Sequence, residues 1–229
     1  MTELLCMAGA AVIGYLLGSI NFAVVVSRLL DGDDVRNHGS GNAGMTNILR
    51  TYGKKQAALV CAGDFLKGML SVMLARTLFG AFDLTFMDGG YIGGFAALLG
   101  HLFPLYFGFR GGKGVLTSAG IILVLNPVVF LCLIPPMVIL VFVIKIVSLV
   151  SILAAVLFPV LTYVVLILMH RPAGFDTIFA ALIGGTIVFM HRANIKRLLN
   201  GTEPKFGQKK PGADLEEVSA QEPPAGEKE

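Results

Sequence analysis

Two glycine-rich, polar stretches interrupt an otherwise very apolar chain, and their residue types suit an anionic ligand. The first is Gly39-Ser40-Gly41-Asn42-Ala43-Gly44-Met45-Thr46-Asn47, closed by Arg50. Glycine at 39 and 41 lets backbone approach a ligand with no Cβ in the way. Ser40, Asn42, Thr46 and Asn47 add donors and acceptors, and Arg50 adds a planar cationic fork. The second runs from Gly100-His101-Leu102-Phe103-Pro104 into Arg110-Gly111-Gly112-Lys113-Gly114. It opens a helix, so exposed amides, the helix dipole and Lys113 together attract a phosphate. It is not a nucleotide P-loop. Phe107 stands where that motif needs glycine, and Gly114 where it needs Ser or Thr.

A third polar group lies near the end of the apolar sequence. His191, Asn194 and Arg197 follow one another at intervals of three, on one face if the preceding helix continues, with Gly201 and Glu203 behind them. Ser148 opens another apolar run and is a candidate ligand contact. Asp64 and Lys67 sit at i, i+3 inside an apolar run, where pairing reduces the cost of burying either charge. His101, near a helix end, is a further candidate for catalysis. Ser40, Arg50, Lys113, His191 and Asn194 are the expected catalytic set. Gly39, Gly41, Asn42, Thr46, Asn47, Gly111, Gly112, Gly114 and Ser148 are the expected substrate contacts.

These residues must be positioned by membrane helices. The 229 residues are 55% hydrophobic and 14% charged, too few charges for a soluble domain. Mean hydropathy is +0.77. Seven apolar segments are readable: Leu4–Leu30, Ala57–Phe79, Gly89–Phe107, a short Val115–Leu125, Val128–Ile146, Leu149–Met169 and Phe175–Met190. The expected fold is therefore all-α, a polytopic membrane protein of about seven spans. The first segment is long for a signal-peptide core and lacks a convincing cleavage site, so it reads as a retained span. The fourth, at about 16 Å, is too short to cross alone. Lys and Arg crowd alternate connections, which puts the N-terminus outside, the C-terminus in the cytoplasm and all three polar stretches on the cytoplasmic side. Residues 1–206 make a single domain carrying +6. Residues 207–229 carry −3, are rich in Pro, Gly and Glu, and read as a disordered acidic tail. The basic excess is too small for nucleic acid. Cys6, Cys61 and Cys132 have no metal or redox spacing, and no metal or other cofactor is expected.

Three blocks together resemble one family in order and spacing. GSINFA with HGSGNAGMTNILR, GHLFPLYFGFRGGKGVLTS and HRANIKRLLNGTE are similar to the bacterial acyl-phosphate:glycerol-3-phosphate acyltransferases, the PlsY family, and DFLKG at residues 64–68 fits as well. The resemblance spans about residues 10–205. Asn21 stands where proline is common, and Met45 and Leu116 where alanine is usual. A long side chain at 45 would narrow the first loop. The resemblance implies transfer of a fatty acyl group from acyl phosphate to the 1-hydroxyl of glycerol 3-phosphate. The products are lysophosphatidic acid and inorganic phosphate, the first acylation of phospholipid synthesis at the bacterial cytoplasmic membrane. It implies direct transfer, with the donor's own phosphate as a candidate base, and not acyl-CoA as donor.

The residues agree with that chemistry on their own terms. Both substrates carry phosphate, the donor carries an apolar chain, and acyl phosphate already has a good leaving group. No His-x4-Asp pair follows any histidine, and no Gly-x-Ser-x-Gly elbow occurs. The expected partners are the two substrates and membrane lipids, with the monomer as the functional unit. The alternative is an organic-phosphate transporter, which needs a site near the midplane.

Overall fold

The structure, a computed structural model, describes residues 1–205, and these form α-helices with no strand among them. The expected acidic tail lies outside the described residues. The helices are α1 (Thr2–Gly18), α2 (Phe22–Leu30), α3 (Met45–Thr51), α4 (Lys54–Ala81), α5 (Gly89–Leu102), α6 (Val115–Leu125), α7 (Pro127–Ile144), α8 (Val147–Leu168), α9 (Gly174–Met190) and α10 (Arg192–Leu199).

The first apolar segment is broken. Ser19-Ile20-Asn21 separate α1 from α2, and Asn21 caps α2 by accepting a hydrogen bond from the Val24 amide at 3.2 Å. Asn21 thus starts α2 by capping its first turn. Five helical segments among the described residues are long and apolar enough to cross a bilayer: Thr2–Leu30, Lys54–Ala81, Gly89–Phe107, Pro127–Ile144 and Val147–Leu168. Helix α9 reaches that length only together with α10, and the two are bent by 58°. The last apolar segment ends at Met190 as read from the sequence, and the one-face placement of His191, Asn194 and Arg197, which required the helix to continue, gives way to a bend at His191. Helix α6 has the bounds expected from sequence.

Packing of α1 on α5 depends on small residues. A Cβ at Gly14 would lie 2.2 Å from the Gly93 carbonyl oxygen, and one at Gly18 would lie 2.1 Å from that of Ala97. Such close backbone approach is how helices associate where lipid offers no hydrophobic drive. The largest core cluster joins α4 through α9, with Leu98, Leu102, Ile121, Leu133 and Ile183 fully enclosed.

The short α6 ends in the interior and needs partners for its last carbonyls. Arg76 of α4 supplies them, donating to Val124 O at 2.7 Å and Leu125 O at 3.4 Å. Asp88 holds the same guanidinium with contacts of 2.6–3.0 Å. Arg76→Leu is expected to destabilise the fold by about 2 kcal/mol, the cost of stranding charged and carbonyl groups in a half-buried site. Arg76 meets the end of α6 opposite Lys113, about 16 Å along that helix, so turnover per folded molecule should be unchanged. Thermal unfolding in detergent, with activity normalised to folded protein, checks both halves.

Candidate active site

The first glycine-rich stretch is shaped from within by Asn47. Its amide nitrogen donates to Val35 O, His38 O and Asn42 O at 3.0–3.1 Å, and its oxygen accepts from the Ser40 amide at 3.0 Å. The sequence reading gave Asn47 to substrate. Buried and fully engaged, it instead braces the loop. Gly39 and Gly41 have positive φ of 58° and 69°, which glycine adopts without strain. Met45, the residue that could narrow this loop, packs back against the cluster of Ala23, Val24, Ile48 and Val60. The side chains of Ser40, Asn42, Thr46 and Arg50 make no hydrogen bond or ion pair among the described residues and are at hand for a ligand. Arg50 is exposed.

Two ties bring the second stretch against the first. Arg36, clamped by Asp34, donates to Phe107 O at 2.6 Å and to Arg110 O at 3.1 Å. Gly112 presses on the Ala43 carbonyl so closely that a Cβ would stand 2.5 Å from its oxygen. The amides of Gly111 and Gly112 donate to Leu102 O at 3.1 Å and His101 O at 3.2 Å. The expected phosphate cradle is corrected accordingly. Gly111 and Gly112 spend their amides on loop shape, and those of Lys113 and Gly114 make no backbone hydrogen bond among the described residues. Gly114, at φ 80°, turns the chain into α6.

The third stretch joins through Lys113, whose Nζ donates to Asn194 Oδ1 at 2.5 Å. Glu203 gathers the rest. Its Oε1 accepts from Ser148 Oγ and Asn194 Nδ2, both at 2.6 Å, and its Oε2 accepts from Arg197 Nε at 2.7 Å. Burial opposes ionisation of Glu203, but these three donors outweigh it and hold its pKa below the usual carboxylate value. His191 is buried at the bend, with Nδ1 2.8 Å from Ile187 O. A carbonyl only accepts, so Nδ1 carries the proton and Nε2 of the neutral ring is an acceptor. Glu203 and Arg36 were absent from the expected site residues. The Glu203 spacing behind Arg197 was visible, but nothing in sequence marks it as the hub for Ser148.

Burial, with Arg197 and Arg50 nearby, lowers the pKa of Lys113 to about 8 against the opposing pull of Glu203. A lysine loses its charge as pH rises through its pKa. We expect kcat/KM to fall above about pH 8 with the slope of one proton. Lys113→Arg should remove that limb of the profile, because guanidinium stays charged throughout.

A small apolar pocket of about 30 Å³ lies between α6, α7, α8 and α9 near this cluster, lined by Val115, Ala119, Leu133, Ala155, Phe158 and Ile187 among others. Val115 follows Lys113 by two residues, and Ile187 is one turn before His191. The charged rim and the apolar pocket are thus built on the same helices.

Comparison with known proteins agrees with this arrangement. The family described as "Glycerol-3-phosphate acyltransferase" matches residues 8–201. A glycerol-3-phosphate acyltransferase of Clostridioides difficile (strain 630) is 41% identical, covering 87% of this chain and 95% of the relative. One from Cupriavidus pinatubonensis is 42% identical, covering 87% and 96%. The crystal structure of PlsY, an integral membrane glycerol 3-phosphate acyltransferase, in its glycerol 3-phosphate form, superimposes with a TM-score of 0.76 at 37% identity, covering 93% of this chain and 98% of that one. Its lysophosphatidic acid form gives 0.73 at 36%, covering 88% and 95%. Agreement along nearly the whole of both partners, in sequence and in helix arrangement, has one consequence: the chain is a helical membrane protein that belongs to the glycerol-3-phosphate acyltransferase family, the family of PlsY.

Proposed function

We propose that this enzyme transfers a fatty acyl group from acyl phosphate to the 1-hydroxyl of sn-glycerol 3-phosphate, giving lysophosphatidic acid and inorganic phosphate. The observation that carries the reading is the meeting of three distant polar stretches around Lys113, Asn194 and Glu203 beside apolar helices. The cluster of cations, amides and hydroxyls suits phosphate, and the helices beside it are apolar where a donor's chain would lie. The glycerol 3-phosphate form of a relative supports the acceptor.

In this reading Lys113 and Arg50 neutralise substrate phosphate, with Ser40, Asn42 and Thr46 as hydroxyl and amide contacts. His191 Nε2 accepts from the attacking hydroxyl and orients it, while Nδ1–H is held by Ile187 O. The hydroxyl oxygen bonds to the acyl carbon, the bond from that carbon to phosphate oxygen breaks, and the hydroxyl proton leaves with the phosphate. No acyl-enzyme forms. Aligning two activated reactants and stabilising developing charge supplies the rate. The polar chamber faces the cytoplasm, with the N-terminus outside and seven traverses including the partial α6. That placement is supported by the Lys and Arg bias of the connections. The monomer holds every residue named, at the bacterial cytoplasmic membrane.

The test uses purified protein, glycerol 3-phosphate and palmitoyl phosphate. Lysophosphatidic acid and phosphate should appear in equal amounts, and palmitoyl-CoA should give neither product. Phosphate release without lysophosphatidic acid, or transfer from the thioester alone, would overturn the reading.

A further inference from the structure

Beneath the chamber lies a polar cluster that the chemistry above does not use. Lys67 and Asp64 of α4 and His101 of α5 are all buried. The Lys67 ammonium lies against three groups: it donates to Ile20 O at 2.8 Å, contacts His101 Nδ1 at 2.9 Å and pairs in charge with Asp64 Oδ1 at 2.7 Å. Ile20 belongs to the break between α1 and α2, so the ammonium ties three parts of the chain. The Asp64 contact is an ion pair without the direction of a linear hydrogen bond.

An ammonium only donates, so toward Lys67 the Nδ1 of His101 accepts, and a neutral ring then carries its proton on Nε2; Asp64 Oδ1 also faces Nδ1, at 3.5 Å. That nitrogen sits against Gly112, where a Cβ would stand 2.3 Å from it. The His101 carbonyl meanwhile accepts from the Gly112 amide at 3.2 Å. His101 thus holds the Gly112 amide by its carbonyl and packs its ring against that residue, at the seam where the Ala43 carbonyl also meets it. The next residue is Lys113.

We propose that Asp64, Lys67 and His101 form a buried positioning relay, which fixes the Gly112 seam and thereby sets Lys113 against Asn194 for phosphate binding. Its kinetic consequence rests on the acyltransfer reading above. A bare structural pair would be satisfied by apolar replacement, because buried ion pairs exchanged for apolar side chains are often neutral for stability. A relay would not, since the imidazole loses the cation that fixes its proton.

The experiment pairs Asp64→Leu with Lys67→Met and measures acetylation of Lys113 by acetic anhydride, read by peptide mass spectrometry with Lys145 as internal reference. In a double variant that unfolds at the parent temperature, Lys113 labelling should rise about fivefold or more as its loop opens locally, with Lys145 unchanged. The KM for one phosphate substrate should rise about tenfold or more while kcat changes less. Unchanged labelling, or raised labelling with both KM values unchanged, overturns the relay. If the double variant does not fold, His101→Gln and His101→Leu decide. The Gln amide reaches the place of Nε2 and should keep Lys113 protected where Leu does not, and equal labelling in the two overturns the relay. Labelling is read without substrate. An inactive parent would therefore sink only the acyltransfer reading, and the relay would still be judged.

Discussion

Lys113→Ala is expected to insert and fold like the parent and to lose about 100-fold or more in kcat/KM. One charge-assisted hydrogen bond contributes about 1.5–3 kcal/mol, or about 10- to 150-fold at 1.36 kcal/mol per decade. Here the loss does not stop at one contact. Lys113 holds Asn194, which in turn donates to Glu203. Without the ammonium, the site keeps the Glu203 carboxylate with one cation fewer to balance it, and that carboxylate repels an incoming phosphate. Removing a preorganised donor from a water-poor site costs about 10²–10³ in other enzymes, which sets the scale. The measurement is lysophosphatidic acid formation over a range of both substrates, beside size-exclusion behaviour in detergent. Turnover within about threefold of the parent would remove Lys113 from the site and the proposed chamber with it.

What sequence reveals and what it conceals divides along a physical line. Helix α6 was legible to the residue because Gly114 before it and Asn126-Pro127 after it are local signals. The meeting of the three polar stretches on one end of the bundle followed from charge bias and spacing. The break at Ser19-Ile20-Asn21 was hidden because hydropathy is continuous across it, and an Asn cap is a single side chain within an apolar window. The bend at His191 was hidden for a similar reason, as a three-residue spacing describes one face only while the helix stays straight. Partner choice was least legible of all. Asn47 looks like any exposed loop amide until the loop is seen folded around it. Glu203 looks like a stray acid until Ser148, 55 positions earlier, is found donating to it. Residue type announces that a group will bond, but the fold decides to what.

Gly112→Ala is the sharpest trial of that folded arrangement, because it adds one carbon and removes no functional group. The added Cβ would stand 2.3 Å from His101 Nε2 and 2.5 Å from Ala43 O, distances that real contacts essentially never reach. Neither neighbour yields easily. The imidazole is held at Nδ1 by Lys67, and the Ala43 carbonyl accepts from Asn21 Nδ2 at 3.4 Å. The two glycine-rich loops must therefore part for the methyl group to fit. Overpacking of this kind costs about 1–3 kcal/mol of stability, a fall of several degrees in unfolding temperature. The catalytic cost should be larger, because a displacement of about 1 Å in substrate-positioning groups is worth about 10²-fold in rate. We expect kcat/KM to drop about 100-fold with every catalytic side chain still present. Gly185→Ala in α9 is the matched control, since a Cβ there meets nothing within 4 Å, and it should be neutral in both assays. An active Gly112→Ala enzyme would mean that the seam is not rigid. The loops would then share one end of the bundle without composing one site.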